Sequence, residues 1–206
     1  MASVFDVEIF DEYMLKPPVE APPFDFEPDT IDVAYSLDLV DELTPRMVTS
    51  ILESIELRRS LFANLAFRYD YVRDHDLSSA FEFYDDKEVT AVISGLALSS
   101  FDIEIRFKLS RGSREKARSN PLRFIKAAIL ALTTVVDLWA GTITITSSDG
   151  RQNHVIETPA PSVLVQQAIS LHDVPLGVTG ARINMAFLDE GNTIGTLTLK
   201  KPQSTV

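Results

Sequence analysis

The clearest structural signal in the chain is a stretch of nine residues, 101–109, with the sequence FDIEIRFKL. Its odd-numbered residues are apolar and its even-numbered residues are charged, which is the two-residue period of a β-strand with one face in water. A second signal lies at residues 142–158, where two alternating runs flank the turn sequence SSDG. Asp-Gly is a favoured pair in hairpin turns, so we predict an antiparallel hairpin there.

Two long segments are predicted to be helices. Thr44 and Pro45 form a typical helix start, because threonine caps the first turn and proline is favoured at the first helical position. Apolar residues then recur at helical spacing, and we expect this helix to end near residues 74–77. Asn120-Pro121 opens a second helix, whose apolar run 122–139 predicts a place in the core. Residues 110–120, which precede this second helix, are predicted to be a loop.

The remaining elements are shorter. Strand-like runs occupy 81–84, 89–98, 182–188 and 193–200, and a short helix is predicted at 162–170. Strands joined by short turns, together with two main helices, predict an α+β fold in which an antiparallel or mixed sheet built from hairpins packs against those helices. A regular strand–helix–strand alternation is absent, which argues against a doubly wound parallel sheet.

The net charge of −11 lies in the first 44 residues. They hold twelve acidic residues and one basic residue, whereas the rest of the chain holds eighteen of each kind. The same segment contains five of the eleven prolines, and proline resists both helix and sheet because it fixes φ and lacks an amide donor. We therefore predict an extended acidic N-terminal arm over 1–43, disordered or docked on a partner, one domain over 44–201 and a tail over 202–206.

Aromatic side chains alternate with carboxylates in this arm. The pattern suits a segment that docks on a protein, since aromatic rings bury apolar area and carboxylates steer the segment toward a basic surface. The residues expected to contact the partner are Phe5, Phe10, Tyr13, Phe24 and Phe26. Two other interpretations stay open: residues 4–10 form an edge strand of the domain's own sheet, or the carboxylates imitate the phosphates of DNA.

Basic residues are concentrated in the segment 106–126, where eight lysines and arginines accompany one acidic residue. A solvated loop explains this pattern, and so does a surface on which the acidic arm of the same chain or of a second copy lies. A third interpretation is binding of a phosphate ligand or a nucleic acid. The residues that would carry it are Arg111, Arg114, Lys116 and Arg118. No aromatic residue is available in the predicted loop for base stacking, and the domain as a whole is not basic.

The sequence contains no recognisable catalytic or cofactor motif. Its eight glycines form neither of the phosphate-binding signatures, and the absence of cysteine excludes thiol catalysis, cysteine-ligated metals and disulfides. Two His-Asp pairs, at 75–76 and 172–173, and an acidic cluster at 82–88 are explained by helix ends and a polar turn. If a pocket exists, we expect it near Asp137, Lys126 and Thr133-Thr134. We expect neither a cofactor nor a metal.

These observations predict a non-catalytic protein–protein interaction or assembly module whose arm docks on a partner or on a neighbouring subunit of a homo-oligomer. We expect a cytoplasmic accessory protein, because the N-terminus lacks the basic and apolar regions of a secretory signal and the apolar run 122–139 carries charged residues. The alternatives are binding of a phosphate ligand or a nucleic acid through residues 106–126, and an enzyme with an unrecognised active site.

Overall fold

The computed structural model describes residues 22–39, 43–75, 79–80, 87–97, 102–132, 141–147, 150–158 and 178–199. Within these ranges the chain is an α+β protein, as predicted. The strands are β1 Thr30–Leu39, β2 Val89–Ala97, β3 Asp102–Leu109, β4 Gly141–Thr146, β5 Asn153–Thr158, β6 Val178–Asp189 and β7 Asn192–Leu199. The helices are α1 Pro45–Phe67, α2 Tyr69–His75, α3 Arg111–Ser119 and α4 Pro121–Leu132.

The seven strands form one sheet in the order β2-β3-β1-β6-β7-β4-β5. Every neighbouring pair is antiparallel, so the sheet is antiparallel and not mixed. Apolar residues line up across the strands on one face: Val33 of β1, for example, lies between Ile105 of β3 and Met185 of β6. All three side chains are buried, which places the core on this face of the sheet.

Strand β1 lies within the segment that was predicted to be an arm. Ile31, Val33 and Tyr35 are buried, and the strand pairs with β3 on one side and β6 on the other. A boundary between residues 43 and 44 therefore does not separate the arm from the domain. The two-residue apolar period of β1 was present in the sequence, but the acidic and proline-rich composition around it hid the signal.

The two main helices cover the apolar face of the sheet. Thr44 caps α1 by accepting a hydrogen bond from the backbone N–H of Met47 at 3.3 Å, and the two helices meet where the Phe62 and Phe124 rings pack edge to face at 5.4 Å. The predicted end of the first helix at 74–77 corresponds to the end of α2, because the helix is interrupted at Arg68.

The segment 110–120 was predicted to be a loop and contains a helix instead. Ser110 caps α3 by accepting a hydrogen bond from the Ser113 N–H at 3.1 Å. Ser113 and Ala117, four residues apart, form the buried side of the helix. The prediction was wrong because a nine-residue helix with two small buried residues has no apolar periodicity to detect.

Both predicted hairpins are present, as β4–β5 and β6–β7. The β6–β7 turn is made by Glu190 and Gly191 with φ of 48° and 80°, and two residues of positive φ give the mirror-image turn that matches strand twist. Strand β6 begins at Val178, four residues before the predicted strand-like run 182–188. The predicted strand 81–84 and the predicted helix 162–170 lie outside the described residues.

Candidate protein-docking surfaces

The part of the arm that the structure describes, 22–29, lies on the domain of the same chain. Phe26 is 1% exposed, and its ring packs edge to face against Phe124 at 6.1 Å and Phe187 at 5.4 Å. Aromatic pairs in this geometry add to the stabilisation that burial provides. Phe26 was predicted to contact a partner; its ring is instead part of this chain's own core.

Carboxylates on both sides of Phe26 contact one arginine of α3. Asp25 lies 3.0 Å and Glu27 3.6 Å from the guanidinium of Arg118. Further along, the Asp29 N–H donates to the Leu188 carbonyl at 2.8 Å, and the Asp29 carbonyl accepts from the Leu109 N–H at 2.9 Å. The arm was expected to dock through aromatic rings with flanking carboxylates that contact a basic surface. The docked residues use this chemistry within one chain: the ring enters the core and the carboxylates contact α3.

Of the other aromatic residues predicted to contact a partner, the structure describes Phe24. Phe24 is half-buried and packs against the edge of the core. Phe5, Phe10 and Tyr13 lie outside the described residues. The segment 22–29, which we call the docked segment, is therefore the portion of the arm whose contacts are known.

The basic side chains predicted to bind phosphate are mostly paired with carboxylates of this chain. Arg111 lies 3.3 Å from Glu115 and Lys116 lies 2.6 Å from Glu88, and Arg118 contacts the docked segment. The fourth residue, Arg114, is half-buried. An anionic ligand at Arg111, Lys116 or Arg118 would have to displace these carboxylates.

Strand β2 presents an apolar surface to solvent. Among the described residues, the large hydrophobic side chains that are exposed are Val92, Ile93 and Leu96, at 41%, 49% and 48%. All three lie on this strand, which ends the described sheet, and we call them the β2 patch. Sequence reasoning placed the strand correctly and missed the patch, although the sequence VTAVISGLA contains no charged residue.

The second face of the sheet carries a groove of about 760 Å³. Its lining includes Asp32, Ser94, Glu104, Arg106, Asn184 and Thr196. Asp32 and Arg106 form a two-pronged ion pair with distances of 2.8 and 2.6 Å, and this hydrogen bonding raises the pKa of the arginine. The charges of Asp32 and Arg106 are thus used in pairing with each other. The described residues contain no cluster of three metal-binding side chains.

Of the residues expected near a pocket, the structure describes Lys126. Lys126 is buried in α4, and loss of solvent lowers the pKa of its ammonium group. Asp137 and Thr133-Thr134 lie outside the described residues. His75 ends α2, where its Nδ1 lies 3.0 Å from the Tyr71 carbonyl oxygen and its ring stacks on Tyr71, as expected of a residue that terminates a helix.

No family model, curated protein or solved structure shows significant similarity to this chain. No helix in the described ranges combines the length and apolar character required to cross a membrane.

Proposed function

We propose that this chain is a non-catalytic protein–protein interaction module whose acidic and aromatic arm docks on a partner or on a neighbouring copy. The observation that carries the proposal is the docked segment, where Phe26 fills a core position and Asp25 and Glu27 contact Arg118. This segment provides an example, within the protein, of how such a sequence binds a folded surface.

The first 21 residues continue the same composition. They contain Phe5, Phe10 and Tyr13 among five acidic residues and a single lysine. Aromatic side chains are enriched at the buried centres of protein interfaces, where they provide most of the binding energy. Complementary charges increase the association rate and help to select the partner. Residues 1–21, which we call the free arm because they are tested below as a free peptide, therefore have the chemistry of a binding segment.

The test compares the full chain with a chain that begins at Pro22. This variant retains the docked segment, so we expect it to fold like the full chain. Association is measured by light scattering at low and high salt, and by titrating a labelled peptide of residues 1–21 into the shortened protein. We expect the peptide to bind, and we expect added salt to weaken binding because exposed charges are screened.

A matched peptide in which Phe5, Phe10 and Tyr13 are replaced by serine keeps the charge and removes the aromatic rings. We expect it to bind at least ~10-fold more weakly, since aromatic residues dominate interface energies. To search for a partner other than this protein, both peptides are immobilised and used in parallel pull-downs from a cell extract. The proposal fails if the free arm retains neither this protein nor any other protein more strongly than the serine peptide does.

A further inference from the structure

Strand β2 lies at the edge of the described sheet. Its backbone pairs with β3 on one side, and no other described strand lies beside it. Edge strands in soluble proteins usually carry charged residues, proline or a β-bulge, which discourage another strand from pairing with them. Residues 89–97 contain a bulge but no charged residue and no proline, and the exposed β2 patch lies at the centre of the strand.

A β-bulge brings two residues of the patch onto the same face. Ile93 lies opposite Ile105 and Leu96 lies opposite Ile103, with the register shift between Ile93 and Gly95. Both partners on β3 are buried core residues. Ile93 and Leu96 therefore extend the apolar face of the sheet by one strand, and half of each side chain remains exposed there.

We propose that β2 pairs antiparallel with β2 of a second copy, so that the sheets of two chains join about a two-fold axis. Directly opposed residues in an antiparallel pair lie on the same face, which selects the register. With the axis between Ser94 and Gly95, Ile93 lies opposite Leu96 of the second copy, and the same contact forms again by symmetry. Val92 then lies opposite Ala97 on the other face.

The charges around β2 fit a second copy better than they fit the acidic arm. The strand is bordered by Lys87, Glu88, Glu104 and Arg106, which are of both signs, and two of these are paired, Glu88 with Lys116 and Arg106 with Asp32. These four described residues carry no net charge, so they do not attract an acidic segment. Pairing of two β2 strands brings no charged residues opposite each other, and like charges in that position are destabilising.

Two-fold dimers are the commonest assemblies of identical chains. This interface does not depend on the free arm. It can therefore be tested in the chain that begins at Pro22, separately from the proposed docking of the arm.

The first experiment measures the mass of the Pro22 chain by light scattering across a dilution series. We expect a dimer, and we expect Ile93→Lys and Leu96→Lys each to raise its dissociation constant by about 100-fold or more, since an unpaired charge at the interface centre costs several kcal/mol. Both residues are about half exposed in the single chain, so the substitutions should leave the circular dichroism spectrum unchanged. Thr193→Lys, at an exposed position on β7, is the matched control.

The second experiment tests the register and uses the absence of cysteine from the sequence. Opposed Cα atoms in an antiparallel pair are about 4.5–5.5 Å apart, which is within the range of a disulfide. We expect mild oxidation to link an equimolar mixture of Ile93→Cys and Leu96→Cys chains. Neither variant alone should be linked, because identical residues are offset by three positions.

A monomer at every concentration, or a dimer that neither lysine variant weakens, would overturn the proposal. If either cysteine variant alone formed the disulfide as efficiently as the mixture does, the proposed register would be wrong. If association requires the free arm and is unaffected by the lysine substitutions, the proposed function stands and this interface does not.

Discussion

Phe26 and Tyr35 show how single side chains attach the N-terminal part of the chain to its core. The ring of Phe26 packs against Phe124 and Phe187, which connects the docked segment to α4 and β6. The hydroxyl of Tyr35 donates to the Leu132 carbonyl at 2.6 Å, which connects β1 to the end of α4. Each contact joins residues that are far apart in the sequence, so each is available only to the folded chain.

Replacing Phe26 by alanine is expected to lower the free energy of unfolding by about 3–5 kcal/mol, the usual effect of removing a buried aromatic ring and leaving a cavity. The measurement is denaturant unfolding followed by circular dichroism. Phe24→Ala is the control, because Phe24 is half-buried and should lose clearly less stability. Equal effects of the two substitutions would contradict the role assigned to Phe26.

Tyr35 is expected to make the protein sensitive to alkali. Burial raises the pKa of its hydroxyl from 10.0 to about 12, an effect that the nearby Arg58 opposes. The folded state therefore holds the proton more tightly than the unfolded state. The corresponding stability is present below pH 10 and is lost as the pH rises toward 12, by an amount of about 3 kcal/mol.

The comparison for this prediction is Tyr35→Phe, measured by denaturant unfolding from neutral pH to about pH 11. The variant should be less stable at neutral pH by about 1–3 kcal/mol, because the buried Leu132 carbonyl loses its donor. Its stability should then fall less steeply with pH than that of the parent. Parallel pH profiles would show that Tyr35 does not cause the alkaline loss.

At the scale of elements, α3 connects the arm to the edge of the sheet. Its start is attached to the residue before β2, since the Ser110 N–H and the Ser113 hydroxyl both donate to the Glu88 carbonyl at 2.9 Å. Its end presents Arg118 to the docked segment. The exposed face of this short helix is almost entirely polar, so its caps and these contacts determine whether it forms.

Ser110→Ala is expected to cost about 1 kcal/mol of stability, the typical loss when a helix loses its N-cap side chain. Ser119→Ala is the matched control at the other end of α3, where the hydroxyl donates to the Lys116 carbonyl at an exposed position. Surface substitutions of that kind usually stay within about 0.5 kcal/mol. Chemical denaturation of both variants measures the difference, and a control that loses as much as Ser110→Ala would argue against capping.

At the scale of the whole molecule, the sheet extends the folded domain into the acidic N-terminal part of the chain. Residues 22–39 belong to the folded domain through the docked segment and the central strand β1. The free arm precedes them and carries the proposed binding function. The contacts of these residues therefore show that the domain begins no later than residue 22, about twenty residues earlier than composition indicated.

Two truncations test this boundary. A chain that begins at Pro22 should unfold at nearly the same temperature as the full chain. A chain that begins at Thr30 loses Phe26 and both carboxylates that contact Arg118, and should be destabilised by about 3 kcal/mol or more, the cost of an emptied aromatic site. Thermal unfolding distinguishes the two, and equal melting temperatures would show that the docked segment adds no stability.

The sequence by itself determined the elements whose signals are local. Alternation defined β3, a cap and a proline placed the start of α1, and turn residues located the β4–β5 and β6–β7 hairpins. Each of these signals acts within a few residues, so it can be recognised without knowing the rest of the fold. The α+β class followed from their order along the chain.

The tertiary structure alone decided which elements are neighbours. Residues 30–36 pair with residues 102–108 on one side and 182–188 on the other, and no local pattern specifies partners at such separations. The same holds for Phe26 in the core, for the pairing of Arg118 with Asp25 and Glu27, and for the position of β2 at the edge. Alternation reveals which side of a strand is apolar, but the long-range pairing of strands decides what covers that side.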